Sequence, residues 1–197
     1  MPLATLPIPP APLTDDALLA RFASGDRAAL DDLFRRYRSV AYRVAYRLLG
    51  READALDAVQ DGFVNALTHL DRFSGRSSFK TWLLRVVCNA ALDIGRQRKR
   101  NERVPQAPRG FSPDGFGADD LPPADTNLVR ADLRRVIDAA LARLPDVQRQ
   151  TFVLHVEGEL TYREVADALG ISIGTVMSRL FYARQKLKDL LAAYQQP

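Results

Sequence analysis

Apolar positions recur every three or four residues along most of the chain, the period of a helix face rather than the alternation of a strand. Leu30, Leu33, Phe34, Tyr37, Val40, Val44 and Leu48 line one such face, and Gly50 offers a stop. Leu56, Val59, Phe63, Leu67 and Leu70 line a second, predicted to run on to about Ser74-Gly75. A third helix, capped by Ser77 or Ser78, turns Trp82, Leu83, Val86, Val87 and Ala90 toward a core. Farther along, Leu133, Val136, Ile137, Ala140 and Leu144 share a face, and Pro145 suits the first turn of a helix over 146–156 that Gly158 ends. Two more helices follow, TYREVADAL and a longer one from about Ser172 to Ala193, with Gly170 between them. No alternating run bounded by turn signals appears, so no strand is predicted and the fold class is all-α.

Composition divides this helical chain. Residues 104–125 hold five prolines, three glycines and four aspartates, which neither a helix nor a central strand accommodates. The expected organisation is therefore a disordered extension over 1–13, a helical domain over 14–103, a flexible linker over 104–129 and a second helical domain over 130–197. An apolar content of 47% in 197 residues excludes wholesale disorder. No apolar run approaches the roughly 20 residues that a helix needs to cross a bilayer. The proline-rich start lacks a basic segment and is not a secretory signal, so no membrane insertion and a cytoplasmic location are expected. A single cysteine, Cys88, excludes an internal disulfide and any zinc site built from several thiolates. No appended regulatory domain is expected beyond the second helical block.

The net charge is only +4, but it is unevenly placed. Residues 1–103 carry 17 basic and 12 acidic side chains, residues 104–129 one and four, and residues 130–197 ten and eight. Two mildly basic blocks flanking an acidic connector suit an anionic polymer, although weak positive charge alone is common.

The segment from Tyr162 to Leu180 has the layout of a helix-turn-helix: small Ala166 where two helices cross, Gly170 at the turn, and apolar Ile171, Val176 and Leu180 for packing. At about 100° per residue, Val176, Leu180, Ala183 and Leu187 of the second helix point inward. Gly174, Ser178, Phe181, Tyr182 and Gln185 point away, with Thr175, Arg179 and Lys186 on one flank and Met177, Arg184 and Lys188 on the other. A recognition helix in a major groove needs this arrangement, since side chains near its start reach base edges and flanking cations neutralise phosphates. An ordinary helical hairpin with a solvated basic face would show the same spacing.

Two further features lie in the first block. Arg96, Arg98, Lys99, Arg100 and Arg103 crowd the end of its third helix, which also presents Asn89 and Asp93. The loop before that helix, from Arg72 to Phe79, mixes arginines, hydroxyls and aromatics, a mixture that suits unstacked single-stranded bases and equally an interhelical loop. Asp54, Asp57 and Asp61, with Gln60 beside them, stripe one helix face. With no histidine on that stripe it is read as a docking surface for a basic partner or as a merely solvated face. Nothing points to catalysis: His69 and His155 fall in different domains, Cys88 lies on an apolar face, and no catalytic residue, metal site or cofactor is expected.

Taken in order, these strings resemble one family, the bacterial sigma factors of the extracytoplasmic-function (ECF) group. Gly25-Asp26 with Leu30, Leu33 and Tyr37 is similar to the opening of sigma region two, and the run from Asp54 to Phe63 is similar to the family's DAEDLVQEVF stretch. The run from Phe73 to Leu83, then Asn89 and Asp93 with arginines, is similar to its promoter-melting segment. Leu144-Pro145, Arg149, Phe152, Glu157-Gly158 and the run from Gly174 to Phe181 with Ala183-Arg184 look like region four.

The resemblance implies that region two grips the clamp helices of the RNA polymerase β′ subunit and opens the minus-ten element of promoter DNA. Region four would read the minus-thirty-five element as duplex and contact the β flap. By matching position, Asp57, Gln60 and Asp61 would dock on polymerase. Phe73, Ser74, Arg76, Ser77, Phe79, Asn89 and Asp93 would hold an unstacked minus-ten base, and Arg96, Arg98, Lys99 and Arg100 its phosphates. Thr175, Ser178, Arg179, Phe181, Tyr182 and Arg184 would face the minus-thirty-five element. An anti-sigma factor is also admitted as a partner, one that the sequence does not identify. The chain departs from the pattern at Leu56, at Gly62 in mid-helix, and at Met177 and Tyr182, where many members carry basic residues. The alternative is a stand-alone helix-turn-helix regulator binding operator DNA, which leaves the acidic stripe and the first block's basic helix end without a job.

Overall fold

A computed structural model describes residues 13–101, 128–192 and 194, with backbone only for 128–131. The expected N-terminal extension and most of the expected linker lie outside the described residues. All regular structure among the described residues is helical: α1 (Asp15–Ala23), α2 (Ala28–Leu49), α3 (Glu52–Thr68), a 3-10 turn (Leu70–Arg72), α4 (Phe79–Asn101), α5 (Leu128–Ala142), α6 (Asp146–Val156), α7 (Tyr162–Leu169) and α8 (Ile173–Ala192).

Two boundaries and one buried face differ from the sequence reading. The second predicted helix, α3, ends at Thr68 rather than near Ser74-Gly75, because the spacing of Leu67 and Leu70 continues through the 3-10 turn. Helix α5 starts at Leu128, inside the stretch expected to be linker. Leu133, expected on the inner face of α5, is exposed, and the helix instead buries Ala140 and Leu141 with Leu144 just beyond its end.

By packing, the described residues fall into two units that divide within α2, after Arg36. In the first unit Thr14 caps α1 by accepting from the Ala17 N–H, and Arg36 pairs with Asp15 and donates to the Leu13 carbonyl. The second unit holds the rest of α2 together with α3 through α8. Its most extensive contact sets α3 along α4. Small residues make up much of the buried face of α3, Ala55, Ala58, Gly62 and Ala66 beside Val59 and Phe63. A Cβ placed on Gly62 would lie 2.6 Å from Val87 Cγ2 and 2.9 Å from Val87 Cα. The mid-helix glycine, unfavourable by about 1 kcal/mol in propensity, is what permits the approach. From α4 come Phe79, Leu83, Leu84, Val87, Cys88 and Ala91.

In the second half, Val176, Leu180, Ala183 and Leu187 of α8 are buried, as their spacing predicts, with Ala140, Leu141 and Leu144 in one cluster with Ala183 and Leu187. Helix α7 starts in a capping box, in which Thr161 accepts from the Glu164 N–H and Glu164 accepts from the Thr161 N–H. It ends at Gly170 with φ 63°, a left-handed turn that glycine adopts readily. Ser172 then caps α8, accepting from the Thr175 N–H at 3.1 Å.

Candidate nucleic-acid and polymerase interface

The outer side of α8 is built by subtraction. Its inner residues are committed to the core, and the turn at Gly170 fixes the helix against α7, with Ala166 buried at the crossing. Ser178, Phe181, Tyr182 and Arg184 are exposed, while Thr175 and Arg179 are half-buried on the flank. Thr175 shares a 2.9 Å hydrogen bond with the capping Ser172 hydroxyl. Phe181 and Tyr182 meet edge to face at 5.4 Å, and Arg184 donates to the Tyr162 hydroxyl at 3.4 Å. A groove of about 360 Å³ lies among Tyr162, Met177, Phe181, Arg184, Gln185 and Lys188. His155, behind this surface, is a satisfied structural residue: its Nδ1 lies 2.8 Å from the Leu160 carbonyl oxygen and its ring meets Tyr162 edge-on.

The first block's site residues are placed less uniformly. Ser78 is the α4 cap, accepting from the Thr81 N–H. Ser74, Arg76, Asn89, Asp93, Arg96, Lys99 and Arg100 are exposed and Ser77 is half-buried. Arg96 pairs with Asp93 at 2.9 Å. Phe79 departs from its expected role: at 2% exposure its ring belongs to the core, in contact with Tyr37 and Trp82, and is not presented to a base. Phe73 packs on the same cluster at 5.4 Å from Trp82 and keeps only part of its surface in solvent. Arg98 is also corrected. It turns back to donate to Asp54 at 2.6 Å and to the Leu49 carbonyl, tying α4 to α3 instead of facing a phosphate.

The acidic stripe on α3 is thereby split. Asp54 is spent on Arg98, while Gln60 and Asp61 are exposed and Asp57 is half-buried. Burial, then the charges of Asp61 and Asp54, push the Asp57 carboxyl above its usual range. Cys88 is fully buried, which raises its thiol to about 12, the behaviour of a core side chain rather than a nucleophile.

Contacts between the two helical blocks were not anticipated. Arg47 of α2 donates to Glu157 at 2.8 Å and to Asp138 at 2.5 Å. Arg43 and Lys80 pair with Glu159 at 3.4 and 3.6 Å. Thr81 donates to Glu164 of the capping box at 3.3 Å. Burial works against the Glu164 carboxylate, but hydrogen bonds from Thr161 and Thr81, with Lys80 nearby, hold its carboxyl below the usual value. These partners lie far apart in sequence and leave no periodic trace.

Residues 33–101 match the family described as Sigma-70 region 2, and residues 134–187 match Sigma-70, region 4. The chain is 36% identical over 179 residues to the ECF RNA polymerase sigma factor SigE of Mycolicibacterium smegmatis, covering 87% of this chain and 66% of that protein. It is 30% identical to SigW of Bacillus subtilis, covering 85% of this chain and 91% of that one. The chain belongs to the ECF sigma factors. Its fold agrees: CnrH, solved in complex with the cytosolic domain of CnrY, superposes with a TM-score of 0.68 at 28% identity, over 91% of this sigma factor and 97% of CnrH. The sigma factor RpoE of Bartonella quintana, solved with the anti-sigma factor NepR, gives 0.57 at 25% identity, over 87% and 98%. Membership assigns the class of activity, promoter-specific initiation by RNA polymerase. A stand-alone regulator is not favoured, because the region 2 match accounts for a block that such a regulator would leave unused. Among the described residues, no helix is long and apolar enough to cross a membrane.

Proposed function

We propose that this sigma factor divides its work between a region 2 domain over 14–103 and a region 4 domain over 130–197, joined by a linker over 104–129. It acts in the cytoplasm and makes or breaks no covalent bond itself. Asp57, Gln60 and Asp61 meet the clamp helices of the β′ subunit. The minus-ten strand is held by the exposed residues of the loop and α4, Ser74, Arg76, Asn89, Asp93, Arg96, Lys99 and Arg100, with the half-buried Phe73 and Ser77 beside them. Region 4 contacts the β flap and lays α8 in the minus-thirty-five duplex, with Thr175, Ser178, Arg179, Phe181, Tyr182 and Arg184 toward DNA. The observation that carries this reading is α8 itself, whose buried and exposed faces separate cleanly after a left-handed glycine turn. The structural relative RpoE, solved with the anti-sigma factor NepR, supports an anti-sigma factor as a further partner.

The test is run-off transcription by polymerase carrying Arg179→Ala. At a promoter that needs its minus-thirty-five element, output should fall about tenfold, the weight of one good base or phosphate contact. Unchanged output there would refute the assignment of α8.

A further inference from the structure

Helix α8 carries more apolar surface into water than its fold needs. Ile173, Met177, Phe181 and Tyr182 are 46%, 55%, 64% and 57% exposed, although Val176, Leu180, Ala183 and Leu187 already bind the helix to its core. Met177 and Phe181 stand one turn apart and wall the groove that Tyr162 closes from α7. Around them lie Arg179, Arg184, Lys186 and Lys188, and Asp189 is the one acid on the helix. A partner for this surface must be anionic overall and yet offer apolar points at helical spacing. Duplex DNA fits: its phosphates supply the charge, and in the major groove its apolar feature is the 5-methyl group of thymine.

We propose that Met177, with Phe181 beside it, reads thymine methyl groups in the minus-thirty-five element. Met177 sits in the second turn of α8, within the N-terminal part that approaches base edges in a helix-turn-helix. Its unbranched, polarisable side chain adapts to a methyl group where an arginine would seek guanine. The element therefore contains thymine opposite the start of α8, and part of its recognition is independent of hydrogen bonding. This inference rests on the region 4 reading above.

The test uses holoenzyme made from the full chain and core polymerase, on a promoter with a functional minus-thirty-five element. Each thymine of the element, on both strands, is replaced singly by deoxyuridine, which removes the methyl group and keeps every hydrogen-bonding group. One or two positions should weaken promoter binding about fourfold, the weight of one buried methyl. Met177→Ala should bind the thymine and uracil promoters nearly equally, so that the two losses are not additive. Equal binding of thymine and uracil promoters by the native protein, with minus-thirty-five dependence intact, would overturn this inference alone. So would an element without thymine on either strand. A Met177→Ala defect in polymerase association, with the thymine preference unchanged, would reassign the stripe to a protein partner. A promoter indifferent to its whole minus-thirty-five duplex would overturn the region 4 reading as well.

Discussion

Gly62 shows how a residue that looks unfavourable alone is required by its neighbour. Alanine is the better helix former by about 1 kcal/mol, but its Cβ would sit 2.9 Å from the Val87 Cα, and backbone cannot rotate out of the way. Gly62→Ala is expected to destabilise the protein by about 1–3 kcal/mol, read as a lower midpoint in denaturant unfolding. An unchanged or higher midpoint would contradict the close packing of α3 on α4.

Asp57 carries the opposite tension, between stability and function. Its carboxyl titrates above the ordinary aspartate value because of burial, then because of Asp61 and Asp54. The folded state thus binds protons more readily than the unfolded one between those two values. This group's contribution to stability falls as pH rises through that window and remains unfavourable above it. Asp57→Asn should raise the thermal midpoint at neutral pH, with the gain fading as the pH falls below both values, while co-purification with core polymerase weakens. A lower midpoint at neutral pH, or undiminished co-purification, would count against the account of this residue.

At the scale of elements, much was legible in the sequence. The buried face of α8 and the turn at Gly170 follow from spacing and from glycine chemistry. The α3–α4 contact was less so: α3 also buries Ala55, Ala58, Gly62 and Ala66, and small residues at helical spacing give a weaker hydrophobic signal than Leu56, Leu67 and Leu70. The roles expected of Phe79 and Arg98 failed for a different reason: position in a motif does not say whether an aromatic ring or a guanidinium faces outward or back into its own domain. The turn between α7 and α8 offers a direct check. Gly170→Ala forces a Cβ into φ 63° and should cost about 1–2 kcal/mol, measured by urea unfolding. No change would mean that the turn relaxes at no cost and does not fix the recognition helix.

At the scale of the molecule, α4 touches α7 through Thr81 and Glu164, and its Leu84 side chain lies against Gly158 in the turn between α6 and α7. The two promoter elements, by their names, lie about 25 base pairs or roughly 85 Å apart along DNA. Helices in direct contact cannot read both at once. The stretch between Asn101 and Leu128, at about 3.3 Å per residue, reaches roughly 90 Å when fully extended, so separation is sterically possible. Arg47, held between Glu157 and Asp138, is the best-bonded contact that separation must break. Labels at Asn65→Cys and Asp189→Cys should report a distance tens of ångströms greater in the promoter complex than in the free protein. The native Cys88 will not compete for the label, being buried with its thiol near 12. An unchanged distance would contradict the separation. None of this packing was legible beforehand, because it rests on ion pairs between residues about a hundred positions apart.

The central claim is that this protein confers promoter specificity on RNA polymerase, and run-off transcription tests it most directly. Core polymerase is assayed with and without the purified protein on promoter fragments from the source genome. The account predicts discrete new transcripts, dependent on both core and the added chain, whose templates share two elements spaced like the minus-ten and minus-thirty-five. Transcripts indifferent to the added protein, together with a gel shift by the protein alone on a single duplex site, would contradict it.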